Sequence, residues 1–187
     1  MSYEKRKDTK EFYAKSPYIQ TYTGKTFHFL DPQEDEIDII DIAHALSNSC
    51  RFTGHVKFFY SVAEHSYLVS MNCSKKNALY GLLHDASEAY ITDISSPVKA
   101  FLSNYKEMEA VIMKAICKKF GLPEEMPEEV KSVDGRILFN EKDVLLKPHD
   151  WGWDMQRLTA APIVGYTPEQ AKDLFLKKFY KLIENVI

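Results

Sequence analysis

Helix-start signals recur along this chain, each followed by apolar residues at helical spacing, and that recurrence confines it to an all-α fold. Ser61-Val62-Ala63-Glu64 has the form of a capping box, in which the serine oxygen takes an orphan amide and the glutamate reaches back. It predicts a helix to about Asn72. Ser74 predicts the cap of a second helix, Lys75 to about Tyr90, with Leu79, Leu82, Leu83 and Ala86 as its apolar set. Ser96-Pro97 reads as a cap followed by proline at the first helical position. Tyr105–Phe120 carries Met108, Val111, Ile112, Ala115 and Ile116 at helical spacing, and Gly121 stops it. Pro127 opens a further helix to about Leu146, and Thr167-Pro168-Glu169-Gln170 is a second capping box opening an amphipathic helix through Ile183. Upstream, Ile37–Leu46 predicts a first short helix. The aromatic and polar stretch Tyr18–Asp35, punctuated by Gly24 and Pro32, predicts irregular structure or a short β-hairpin.

At 187 residues the chain fits a single domain, spanning 1–187. Its core is expected over about 37–147, with the helix at about 168–183 packed on it. An apolar share of 45% and a charged share of 27% are ordinary for a globular protein. Lys and Arg number 24 against 27 Asp and Glu, so the net charge is −3 and no global positive field advertises a nucleic-acid partner. Cys50, Cys73 and Cys117 are odd in number and lack a CxxC pair, which excludes a disulfide framework and a thiolate zinc site. Met1–Lys10 has no apolar signal-peptide region, and no run reaches the roughly 18 apolar residues of a membrane span. A cytoplasmic protein without membrane contact is expected.

Three predicted helices place ionisable groups where the pattern calls for apolar ones. His65 shares a face with Val62, Leu68 and Val69; Asp134 lies between Val130 and Ile137/Leu138; His84 and Asp85 directly follow Leu82-Leu83. A carboxylate on a buried face is costly unless it is paired or bound to metal. Two such carboxylates with two imidazoles form a donor set suited to a divalent transition metal. Spacing alone leaves simpler alternatives open: a satisfied core histidine at 65, and at 134 a carboxylate paired with Arg136 or a neighbouring helix.

The segments "SVAEHSYLVS", "LLHDASEAYITDISSPVK" and "VKSVDGRILFNEKDVL", with "DIAHALSNSCRFTGH" upstream, resemble the HD-domain phosphohydrolase superfamily. Within it they are most similar to the YfbR-like 5′-deoxynucleotidases and the phage dATP triphosphohydrolases. The likeness covers roughly Tyr18 to Leu146 and implies an HD-type helical bundle. It also implies one divalent metal ion (Mn, Co, Zn, Fe, Ni or Mg) on His65, His84, Asp85 and Asp134. Glu88, four residues after His84 and so expected on the same helix face, matches the glutamate that handles the attacking water. Asp93 matches a second acidic helper. Arg51 and Lys99 match phosphate-holding positions, and Phe52 stands where the family often has Trp.

The implied substrate is a small nucleotide: a deoxynucleoside monophosphate losing phosphate or, alternatively, a dNTP losing tripolyphosphate. The resemblance also implies a homo-oligomer. A non-catalytic nucleotide-sensing module is a different class of reading, and it should have lost a ligand or the glutamate; all are present.

Other signals are set aside. Gly24-Lys25-Thr26 imitates the end of a P-loop, but Ile19 stands where the first glycine is required. A zinc deaminase needs a P-C-x-x-C run that is absent. His44, His55 and His149 are accessory or surface candidates, with His55 the one nearest Arg51. Trp151 and Trp153 are expected to anchor a loop, or else to cap a substrate or make a subunit contact.

Overall fold

A computed structural model of the chain describes residues 17–159 and 162–184, so the charged Met1–Lys10 segment lies outside the described residues. The described residues are all-α apart from one antiparallel hairpin, β1 (Ile19–Gln20) and β2 (Thr26–Phe27), in which Ile19 pairs with Phe27. Gly24 closes it at φ 87°, a left-handed conformation that costs glycine nothing. The hairpin is tied down at both ends. Thr23 donates its amide and its hydroxyl to the two carboxylate oxygens of Asp41, at 2.6 and 2.8 Å. Phe27 is fully buried and stacks on Tyr90 at 3.7 Å.

The helices of the described residues are α1 (Ile39–Asn48), α2 (Val62–Asn72), α3 (Ala78–Leu83), α4 (Glu88–Ile91), α5 (Ser96–Lys99), α6 (Ser103–Phe120), α7 (Glu128–Leu145) and α8 (Pro168–Glu184). A 3₁₀ turn, Arg51–Gly54, links α1 to α2. Helix α2 is the hub, packing against α1, α3, α7 and α8. Its buried residues run almost without a break from Val62 to Ser70, as expected of a helix enclosed on every side. It feeds both hydrophobic clusters. Val62 and Ala63 join Ile42, Leu46, Leu82, Leu83, Ile112 and Phe175. Leu68 and Val69 join Tyr60, Tyr80, Val130, Val133 and Ile137. His65 lies between these two sets along α2.

Both capping boxes start helices, in different ways. Thr167 and Gln170 close the reciprocal pair, with amide-to-side-chain bonds of 3.0 and 3.3 Å. Ser61 accepts the Glu64 amide at 3.1 Å, but the Glu64 carboxylate does not reach back. It is buried and accepts the backbone amides of Val164, Gly165 and Tyr166 at 2.8, 3.1 and 2.8 Å, fixing the segment that leads into α8.

The expected helix from Lys75 to Tyr90 is in fact two. Ser74 caps nothing; its amide and hydroxyl bind Glu129, and regular helix begins only at Ala78. After Leu83 the backbone tightens to bonds spanning three residues: Ala86 to Leu83, Glu88 to Asp85, Ala89 to Ala86 and Tyr90 to Ser87. Winding of that kind stacks residues three apart. Glu88 therefore follows Asp85 at this three-residue spacing, donating its amide to the Asp85 carbonyl at 3.0 Å. Gly121 ends α6 in the left-handed conformation at φ 66°. No described helix is long and apolar enough to cross a membrane.

Candidate metal centre

Four expected ligands arrive from three places in the fold. His65 comes from the middle of α2, His84 and Asp85 from the tight turn after α3, and Asp134 from the second turn of α7. Ligand atoms of His65, His84 and Asp134 all lie within 4.8 Å of one another. The Nε2 atoms of the two histidines are 3.2 Å apart. Asp134 Oδ1 is 3.2 Å from His65 Nε2 and 3.9 Å from His84 Nε2. Asp85 borders the same space, its Oδ2 standing 3.2 Å from His84 Nε2 and 3.5 Å from His65 Nε2. Both imidazoles are buried, whereas the Asp134 side chain is 40% exposed, so the cluster opens to solvent on the α7 side.

The orientation of the rings decides what the cluster can hold. His84 Nδ1 lies 2.8 Å from the carbonyl oxygen of Gly81, which can only accept, so Nδ1 carries the proton. His65 Nδ1 lies 2.7 Å from Glu141 Oε1. Burial opposes ionisation of Glu141, but Arg51 and His65 outweigh it and hold the carboxyl below its usual range, so here too Nδ1 is the donor. In neutral rings both Nε2 atoms then present lone pairs to each other and to two carboxylates. Such a convergence of acceptors repels itself unless a cation, a proton or a metal, lies among them. The donor set of two imidazole nitrogens and carboxylate oxygens suits a divalent metal.

The protonation energetics point the same way. Burial and Arg51 both lower the His65 pKa, yet Glu141 and Asp134 prevail and push it up to about 10. His84 is raised despite burial by Asp85 and Asp134. Asp85 is held well below the carboxylate range because His84, His65 and Arg51 overcome its burial. Asp134 is lowered against its burial, chiefly by His65. Without a metal, the site gathers protons.

Around these four, the remaining expected residues are arranged unevenly. Arg51 Nη1 sits 3.8 Å from Asp85 and its Nη2 2.9 Å from Glu141, while its buried Nε has no hydrogen-bond partner. Its guanidinium carbon lies 5.5 Å from the Phe52 ring centre. Phe52 and Thr53 are both left-handed at φ 54°, a costly backbone for residues with a Cβ. Glu88 is buried, and its Oε1 accepts from Lys99 Nζ at 2.9 Å while Oε2 has no partner. Burial, Asp85 and Asp93 push the Glu88 carboxyl up to about 9 against the pull of Lys99.

Lys99 does not stand free for an anion. It bridges Glu88 and Glu109, each at 2.9 Å. Asp93 is partly buried and raised by that burial and by Asp85. It follows Thr92, another strained residue at φ 69° and ψ 154°, whose amide bonds Glu88 O at 2.9 Å and whose carbonyl accepts from the Tyr105 hydroxyl.

Other candidates fall away. Asp134 is not paired with Arg136, which donates instead to the carbonyls of Gln156 and Arg157. His55 and His149 are exposed, and His44 stacks on Tyr22 at 3.7 Å. Trp151 and Trp153 meet Phe139 edge-on, and Trp153 remains 53% exposed. All three cysteines are free thiols.

Two residues escaped the sequence reading. Glu109 gives no signal, since it lies on a half-exposed face of α6. Glu141 does: it sits on the same inward stripe of α7 as Val130, Asp134, Ile137 and Leu145, so the criterion that singled out Asp134 would also have found it.

No protein-family model matches the chain. It is 38% identical over 171 residues to the uncharacterized protein YfdR of Escherichia coli K12, covering 89% of this chain and 96% of that protein. It is 35% identical over 173 residues to an uncharacterized protein of Rhodobacter capsulatus, covering 87% of this chain and 81% of that one. At that identity and coverage, the chain belongs to the family of YfdR.

Proposed function

We propose that this chain is an HD-type phosphohydrolase that depends on a divalent metal and removes phosphate from deoxynucleoside monophosphates. The observation that carries the reading is the pair of buried imidazoles. Their Nε2 atoms face each other at 3.2 Å, both Nδ1 atoms are already committed as donors, and Asp85 and Asp134 close the group. His65, His84, Asp85 and Asp134 would hold the ion, which would polarise a phosphoryl oxygen and acidify water.

The chain's own residues supply the rest. Arg51, with a free Nε–H and its charge secured by Glu141 and Asp85, binds phosphoryl oxygens and offsets their charge. Lys99 adds a second positive charge beside Glu88. Glu88 exchanges a proton at Oε2, the oxygen without a partner; its raised pKa keeps it protonated near neutrality, ready to donate to the leaving ester oxygen. Asp93 adjoins this group and adjusts its charge. Phe52 packs beside Arg51 and offers a ring face to the sugar or base.

Incubation with dNMPs and dNTPs separately, in Mn²⁺, Co²⁺ or Zn²⁺, tests the proposal. Orthophosphate from dNMPs is the expected product. Tripolyphosphate from dNTPs would reassign the substrate, and release of neither product with any of the three metals would overturn the proposal.

A further inference from the structure

We propose that Glu141 is the positioning residue of the centre: one buried carboxylate that fixes the tautomer of His65 and the aim of Arg51 together. The inference rests on the metal-centre reading above. Glu141 is fully buried, and each of its oxygens is committed to a different functional group. Oε1 accepts a hydrogen bond from His65 Nδ1–H at 2.7 Å; Oε2 accepts one from Arg51 Nη2–H at 2.9 Å. These bonds join three elements, α2, the 3₁₀ turn before it and α7, at one side chain.

Helix geometry gives Glu141 this position. It lies seven residues after Asp134, nearly two complete turns, so one face of α7 presents both a ligand and the support of another ligand. The chemical consequence is specific. With Nδ1 held as donor, the lone pair of His65 must lie on Nε2, toward His84, Asp85 and Asp134. An anionic acceptor also makes that lone pair more basic. The same carboxylate orients the Arg51 guanidinium, leaving Nη1 toward Asp85 and Nε without a protein partner. Metal affinity and phosphate affinity are thereby coupled through a residue that touches neither ligand.

The test is Co²⁺ titration of the full-length chain after chelator treatment, followed by calorimetry and by the visible absorption of bound Co²⁺. Glu141→Leu should weaken Co²⁺ binding by about 10- to 100-fold, the usual effect of removing such a partner. Glu141→Gln should fall between it and the wild type, because one amide oxygen cannot serve both His65 and Arg51.

Glu141→Leu also leaves Arg51 buried without its closest partner, so the double variant Arg51→Met/Glu141→Leu provides a folded comparison with no orphan charge. It should regain thermal stability and keep the weakened Co²⁺ binding. Wild-type Co²⁺ affinity in that folded double variant would overturn the positioning role and leave the metal centre standing. A wild-type chain that binds no Co²⁺ would overturn the metal centre, and the positioning role with it.

Discussion

At the scale of single residues, two buried carboxylates have opposite chemistry. Glu141 is ionised, saturated and remote from solvent, whereas Glu88 is raised to about 9 and keeps one oxygen unpartnered. The difference lies in their neighbours: Arg51 and His65 face Glu141, while Glu88 meets the like charges of Asp85 and Asp93, which Lys99 does not outweigh. If Glu88 is the proton-transfer group, Glu88→Gln should lower kcat by about 10²- to 10⁴-fold, the usual worth of such a group. Co²⁺ affinity should stay near the wild-type value, because Glu88 is not a ligand. Parallel turnover and titration measurements check this, and a variant with wild-type turnover would remove Glu88 from the mechanism.

At the scale of elements, the site depends on how closely α2 and α3 approach. A Cβ on Gly81 would lie 3.2 Å from Ser70 Cα and 3.3 Å from its amide nitrogen, both backbone atoms of α2, and 3.1 Å from Cys73 Sγ. The Gly81 carbonyl also fixes the His84 ring. Gly81→Ala gains about 1 kcal/mol in helix propensity but must push the helices apart, at a typical cost of about 1–3 kcal/mol. A net loss of about 1 kcal/mol is expected, together with weaker Co²⁺ binding as His84 shifts from His65; chemical denaturation and metal titration measure the two. Helix existence was legible here because capping and apolar period are local: Ser61, Thr167 and Gly121 all mark real ends. The break at His84–Ser87 was not legible. Leu82, Leu83 and Ala86 fit a continuous helix, and only tertiary placement of His84 and Asp85 distinguishes tight winding from regular winding. The long-range duty of Glu64, bound to amides about a hundred residues away, was hidden for the same reason. Lys99 shows the limit of resemblance: the position was marked, but its two carboxylate partners were not.

At the scale of the whole molecule, the proposed centre ties stability to pH and, through the ion it would hold, to metal. In the metal-free chain both imidazoles are raised despite burial, His65 from 6.5 to about 10 by Glu141 and Asp134, and His84 by Asp85 and Asp134. A raised folded-state pKa contributes stability that is complete below about pH 6.5 and lost as pH climbs toward the folded value. The melting temperature of the metal-free chain should therefore fall between about pH 6.5 and pH 10. A bound divalent ion replaces those protons, so affinity should rise over the same interval and saturating metal should flatten the fall. Melting curves with chelator and with Mn²⁺ across that interval would show it; parallel curves would contradict the coupling. The central claim, that His65, His84, Asp85 and Asp134 converge to bind one ion, is tested most directly by the metal content of the purified chain after loading and desalting. One divalent ion per wild-type chain and none in a folded His84→Ala chain is the expected result; an unchanged metal content in that variant, or no bound metal in the wild type, would rule the convergence out as a metal site.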